Sequence, residues 1–161
     1  FKENVPRTLG LSSIYYDFAV KGWRFVALDG NDISFHAYPL NSEEYIAAAA
    51  YYERNKIQSP KWNGAVGASQ LSWLKGVLEE ASREGENVVL YSHFPVWPEN
   101  VHNLWNAGEM VELIEAYPCV KAYINGHNHA GNYALKLYWS DGHNTGIYGW
   151  EYLRTLSLPN S

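Results

Sequence analysis

Asn87-Val88-Val89-Leu90-Tyr91-Ser92-His93-Phe94-Pro95 reads as a short strand that delivers a histidine. Its apolar run is nearly continuous and too short for a helix, the pattern of a strand buried on both faces. Upstream, Leu71, Leu74, Val77, Leu78 and Ala81 recur at helical spacing, so Ser69 to Arg83 is predicted to be an amphipathic helix that Gly85 ends. Downstream, Glu109 to Tyr117 repeats the helical pattern and stops before Pro118, and Val120 to Ile124 is a second short strand. Helix, strand, helix, strand in that order predicts an α/β fold with buried strands. In such sheets ligands gather just beyond the carboxyl ends of the strands. Ser92-His93 and Gly126-His127-Asn128-His129 stand at those ends.

Further out the signals are local. Ser13 to Phe18 reads as a strand, Gly22 interrupts, and Trp23 to Leu28 follows as another, ending in the turn residues Asp29-Gly30-Asn31-Asp32. Asn41 or Ser42 caps a helix running to about Arg54, because a short polar oxygen satisfies the free N–H groups of the first turn. Pro60, Gly64 and Gly67 punctuate a loop, and Phe1 to Gly10, with Pro6 and Gly10, reads as another. No repeat or linker divides the 161 residues, so a single domain is expected over 1–161.

Composition narrows the function. An apolar fraction of 47% with 16% aromatic residues points to a packed core rather than disorder. No apolar run approaches the roughly 20 residues that cross a bilayer, so no membrane association is expected. No charged and apolar leader opens the chain. The single Cys119 excludes an internal disulfide framework and fits a reducing, cytoplasmic setting. A net charge of −5 argues against nucleic-acid binding. For a phosphate-bearing substrate, the positive charge must then come largely from bound cations.

Alternating histidines suit such cations. Residues two apart in extended backbone point the same way, so His127 and His129 converge on one site or on two adjacent metals. Gly126 lets the chain turn sharply beside them. His93, arriving from the neighbouring strand, completes a coordination sphere. Imidazole suits Zn, Fe and Ni, while carboxylates and water suit Mn, so a mixed site accepts several of these. The remaining histidines carry weaker patterns. His36 follows turn residues and reads as surface or structural, Asp141-Gly142-His143 reads as a turn, and His102 lies in a loop that can overhang the site.

Val88-Val89-Leu90-Tyr91-Ser92-His93 and Asn125-Gly126-His127-Asn128-His129 resemble the last two metal boxes of the calcineurin-like metallophosphoesterases. Gln70-Leu71-Ser72-Trp73-Leu74 is similar to the helix before the first of these boxes, and Phe25-Val26-Ala27-Leu28-Asp29 to a strand of that superfamily ending in Leu-Asp. Tyr91 to Val96 and Tyr123 to Tyr133 bring the resemblance closest to the manganese-dependent ADP-ribose/CDP-alcohol diphosphatases.

The resemblance implies part of a four-layer αββα sandwich. It also implies a hydrolase acting on the phosphoanhydride of a small nucleotide-diphosphate such as ADP-ribose or CDP-choline. The implied cofactors are two divalent metals, Mn first and Zn, Fe or Mg as alternatives, with His93 and His127 on one metal and His129 on the other. The boxes that precede these in the superfamily, with their bridging Asp, Asn ligand and acid His, are not matched. The chain therefore looks like a C-terminal portion, weak or inactive alone, and no catalytic residue is assigned in it. Leu137 to Ser161 departs from the superfamily pattern and is expected to lack its return strands. Other phosphoesterase activities, on monoesters, cyclic nucleotides or phosphoproteins, share the same metal chemistry. A non-catalytic metal-binding module is a further reading of the missing boxes.

Overall fold

The computed structural model describes residues 2–127, 134–139 and 147–149, the last two ranges as strands. The expected α/β architecture is present. After a 3-10 turn, Lys2–Asn4, come α1 (Val5–Leu9), β1 (Tyr16–Val20), β2 (Trp23–Ala27), β3 (Ile33–Ser34) and α2 (Glu43–Arg54). Then follow β4 (Gly64–Ala65), α3 (Ala68–Glu84), β5 (Asn87–Ser92), α4 (Ala107–Glu115), β6 (Val120–Asn125), β7 (Ala134–Trp139) and β8 (Ile147–Gly149).

Six strands form one mixed sheet in the order β1-β2-β5-β6-β7-β8, and β3 pairs with β4 in a separate ribbon. The central strands β2, β5 and β6 run parallel, with Ala27 opposite Tyr91 and Ser92 opposite Asn125. The antiparallel β1–β2 hairpin turns through Lys21 and Gly22, both at positive φ, the combination that matches the twist of the flanking strands.

One face of the sheet carries the core. Val26, Leu28, Val88, Leu90, Val120 and Tyr123 pack with Leu74, Val77, Leu78 and Ala81 of α3 and Met110 of α4. Each large apolar side chain so buried contributes about 1.5–3 kcal/mol. This explains why the helical spacing of α3 is so regular. Its polar ends are also satisfied: Gly85 closes the helix at φ 69°, its N–H bonding to the carbonyls of Ala81 and Ser82. The expected cap of α2 is Ser42, whose Oγ accepts from the N–H of Tyr45 at 3.2 Å. On the opposite face Phe18 stacks on Phe25 and Phe25 on Tyr91, with Phe18 half exposed.

Two expectations need correction. Phe1 to Gly10 is not simply a loop, because Pro6 stands in the first turn of the short α1 and Gly10, at φ 69°, ends it. Return strands are also present beyond Lys136. β7 lies antiparallel to β6 and β8 antiparallel to β7. The Tyr and Trp content that sets this segment apart is itself strand-forming.

Candidate metal centre

Parallel pairing of β5 and β6 brings their carboxyl ends side by side, and each strand then hands on a histidine. The N–H of Gly126 donates to the carbonyl of His93 at 3.1 Å, extending the ladder one step past the strands. His127 Nδ1 and His93 Nε2 lie 2.7 Å apart, and the ring centroids are separated by 4.7 Å. Phe94, only 2% exposed, packs against both imidazoles at 4.9 and 4.7 Å. Burial lowers the pKa of His93, which favours the neutral ring that a metal requires. At 2.7 Å the two nitrogens share a hydrogen bond, one ring donating and the other accepting. A cation would replace that proton, and paired neutral nitrogens fit its needs.

The backbone makes this turn differently from the sequence expectation. His127 itself adopts φ 63°, and Gly126 is absent from the left-handed region. A Cβ on Gly126 would meet His93 only at 3.8 Å, an ordinary contact. The extended geometry assumed for His127 and His129 is therefore broken at His127. His129 lies outside the described residues, as does Asp141-Gly142-His143. Among the described residues no group of three His, Cys, Asp or Glu converges as a metal site.

His102 is the residue the sequence undervalues. Its ring centroid is 5.2 Å from that of His127, and its Nδ1 is buried without a partner among the described residues. Nothing in its spacing signals this, because a loop closure creates the contact. Buried Asn63 holds that loop, donating from Nδ2 to the carbonyls of Val101 at 2.8 Å and Asn103 at 3.0 Å.

A second feature borders the same end of the sheet. Asp29, just after β2, forms an ion pair with Lys2, and its Oδ1 accepts from the N–H of Asn31 at 3.1 Å. Burial raises the Asp29 pKa, and Lys2 opposes the shift. Gln70, fully buried, accepts from the Asp29 N–H at 2.8 Å and donates to Asp32 Oδ2 at 3.0 Å. The sequence shows Gln70 only as part of a family-like helix. The structure makes it the clamp on the Asp29–Asp32 turn. Exposed His36 lines a cavity of about 420 Å³ with Lys2, Asp29 and Asn31. No helix among the described residues is long and apolar enough to cross a membrane.

The chain shares its fold with a metallophosphoesterase, here a mixed sheet with histidines following adjacent parallel strands. A solved dimetal phosphatase from Danio rerio superposes with a TM-score of 0.66 at 26% identity, covering 73% of this chain and 44% of that one. More particularly, the chain is similar over part of their length to proteins named manganese-dependent ADP-ribose/CDP-alcohol diphosphatase. The protein of that name from Oryza sativa subsp. japonica is 34% identical over 140 residues, which cover 75% of this chain and 44% of the relative. Its namesake from Xenopus tropicalis is 33% identical over 132 residues, covering 72% and 39%. The human one is 29% identical over 147 residues, covering 80% and 43%. The chain thus spans less than half the length of these relatives. A different family profile, gamma-butyrobetaine hydroxylase-like, N-terminal, matches residues 105–154. That match takes in part of the segment where the phosphoesterase pattern fades.

Proposed function

We propose that the whole protein hydrolyses the phosphoanhydride bond of small nucleotide-diphosphate compounds of the ADP-ribose and CDP-alcohol type, using two divalent metals, manganese first. The observation that carries this reading is the pair of imidazoles meeting 2.7 Å apart at the ends of adjacent parallel strands. The names of the relatives, manganese-dependent ADP-ribose/CDP-alcohol diphosphatase, support the choice of metal and substrate. In this reading His93 and His127 hold one metal and His129 belongs to the other. Such metals supply Lewis acidity and lower the pKa of water for attack at phosphorus. This chain's own part is to present neutral nitrogens, fix them on strand ends, and exclude water with Phe94.

This chain alone is weak or inactive, because its matched motifs supply three imidazoles and no bridging carboxylate. The test is elemental analysis after loading with Mn and Zn, on the wild type and His127→Ala. Metal retained by the wild type and lost from the variant is the expected result. A wild type that holds one metal loosely or none marks the chain as a catalytically incomplete half, and a His127→Ala that keeps as much metal as the wild type refutes the site. Turnover of ADP-ribose or CDP-choline by the purified chain, abolished in His127→Ala, refutes the claim of incompleteness and strengthens the assignment of activity.

A further inference from the structure

Five residues after β5, the chain leaves a tryptophan in solvent. Trp97 is 55% exposed, although the three residues before it, Phe94, Pro95 and Val96, are buried, and Asn103 and Leu104 are buried when the loop returns. The loop itself is firmly held. Pro98 O accepts from Asn100 Nδ2 at 2.7 Å and from Asn103 Nδ2 at 3.1 Å, and the His102 N–H donates to Asn100 Oδ1 at 2.9 Å. Leu104 N–H closes the loop on Pro95 O at 3.0 Å. The same short loop lays His102 against His127. An indole is therefore presented on a fixed support within one loop of the imidazole pair.

We infer that Trp97 is the platform on which the base of a nucleotide ligand stacks, an inference that rests on the phosphohydrolase reading of the adjacent site. Metals grip phosphate and are indifferent to what the phosphate carries, so recognition of a nucleoside needs a second contact. An aromatic face provides it, since every base has a π-face and stacking tolerates purine and pyrimidine alike. That tolerance suits a substrate class containing both adenine and cytosine. A pinned loop also presents the ring at little cost in ordering on binding.

The experiment is calorimetric titration of the Mn-loaded full chain with adenosine, AMP and ribose 5-phosphate, repeated on Trp97→Ala, Trp97→Phe and Trp23→Ala. Trp23 starts β2, at the amino end of the parallel strands, and controls for a general loss of an exposed indole. Stacking of one base predicts that Trp97→Ala weakens adenosine and AMP by roughly 5- to 150-fold while ribose 5-phosphate is unchanged. Trp97→Phe, which keeps a ring, should stay within about threefold of wild type. Equal weakening of all three ligands, no change in any, or a wild type that binds neither adenosine nor AMP overturns the inference. If adenosine binding depends on Trp97 but ribose 5-phosphate never binds, the platform stands and the phosphohydrolase reading fails.

Discussion

Replacing Gly30 by alanine tests how tightly the site is wedged against the end of β2. Gly30 is buried and outside the left-handed region, so the effect is steric rather than conformational. An added Cβ would sit 2.7 Å from Phe94 Cδ2, 3.2 Å from Ser92 Oγ and 3.4 Å from Leu104 Cδ2. To restore ordinary contact the Phe94 ring must retreat by about 0.7 Å, and that ring packs against His93 and His127. Overpacking of this kind costs about 1–3 kcal/mol. At this chain length the melting temperature should fall by about 2–12 °C. Gly76, in α3 with nothing within 4 Å of its added Cβ, is the matched control, and Gly76→Ala should stabilise by about 0.5–1 kcal/mol. Urea unfolding of both variants, with Mn uptake measured beside it, gives the comparison. Adding Phe94→Leu should recover at least about 1 kcal/mol in a double-mutant cycle. If Gly30→Ala is as stable as wild type, or if the two substitutions add independently, the wedge argument is wrong.

Three further changes follow from the same structure. Tyr123, fully buried, donates its hydroxyl to the Phe94 carbonyl at 2.9 Å, so Tyr123→Phe should cost about 1–2 kcal/mol in urea unfolding and weaken metal retention. Arg24, 8% exposed, binds Glu86 at 2.6 Å, Glu80 at 2.9 Å and Asp17 at 3.1 Å, so Arg24→Met strands three carboxylates. Partial exposure of Glu80 and Asp17 holds the expected loss to about 2–3 kcal/mol, read from the same curves, and a loss below ~1 kcal/mol would show the cluster to be a surface network. Because burial lowers the His93 pKa, the unfolded chain takes up a proton first as pH falls from the ordinary value near 6.5. The stabilising contribution is thus complete above that value and is lost as pH drops through the folded value, a slope that His93→Gln should flatten in unfolding midpoints compared at pH 7.5 and 5.5.

The parts of the fold legible in the sequence are those where one physical cause dominates. Apolar spacing locates α3, because a helix packed on a sheet must bury one stripe. The run Val88 to Leu90 locates β5, since all three of its residues are buried, Val88 and Leu90 in the core beneath the helices. His93 and His127 stand where the sequence puts them, just past the ends of two parallel strands. Pro6 and Gly10 misled because the same two residues open and close a short helix as readily as they break a chain. The sequence places His102 in a loop that can overhang the site and Gln70 in a family-like helix, but not their contacts, because each acts through a partner at least 25 residues away, His127 for one and Asp29 for the other. Spacing along the chain carries no trace of such contacts, and only closure of the loop or docking of the helix creates them.

Backbone strain adds an independent argument for the imidazole pair. Among the described residues four non-glycines adopt positive φ: Lys21, Asn41, Lys56 and His127. Lys21, Asn41 and Lys56 are exposed residues, as is usual where a turn needs an unusual conformation. His127 differs, being half-buried between Phe94, His93 and His102 at the end of a central parallel strand. A side chain held there costs of order 1 kcal/mol or more, and glycine would relieve it. Glycine stands immediately before, at Gly126, where neither a positive φ nor a close contact calls for it. The strained position is instead occupied by the residue whose ring nitrogen meets that of His93. An imidazole placed against the preference of its own backbone is a sign that the ring, rather than the turn, is what this strand end is built to present.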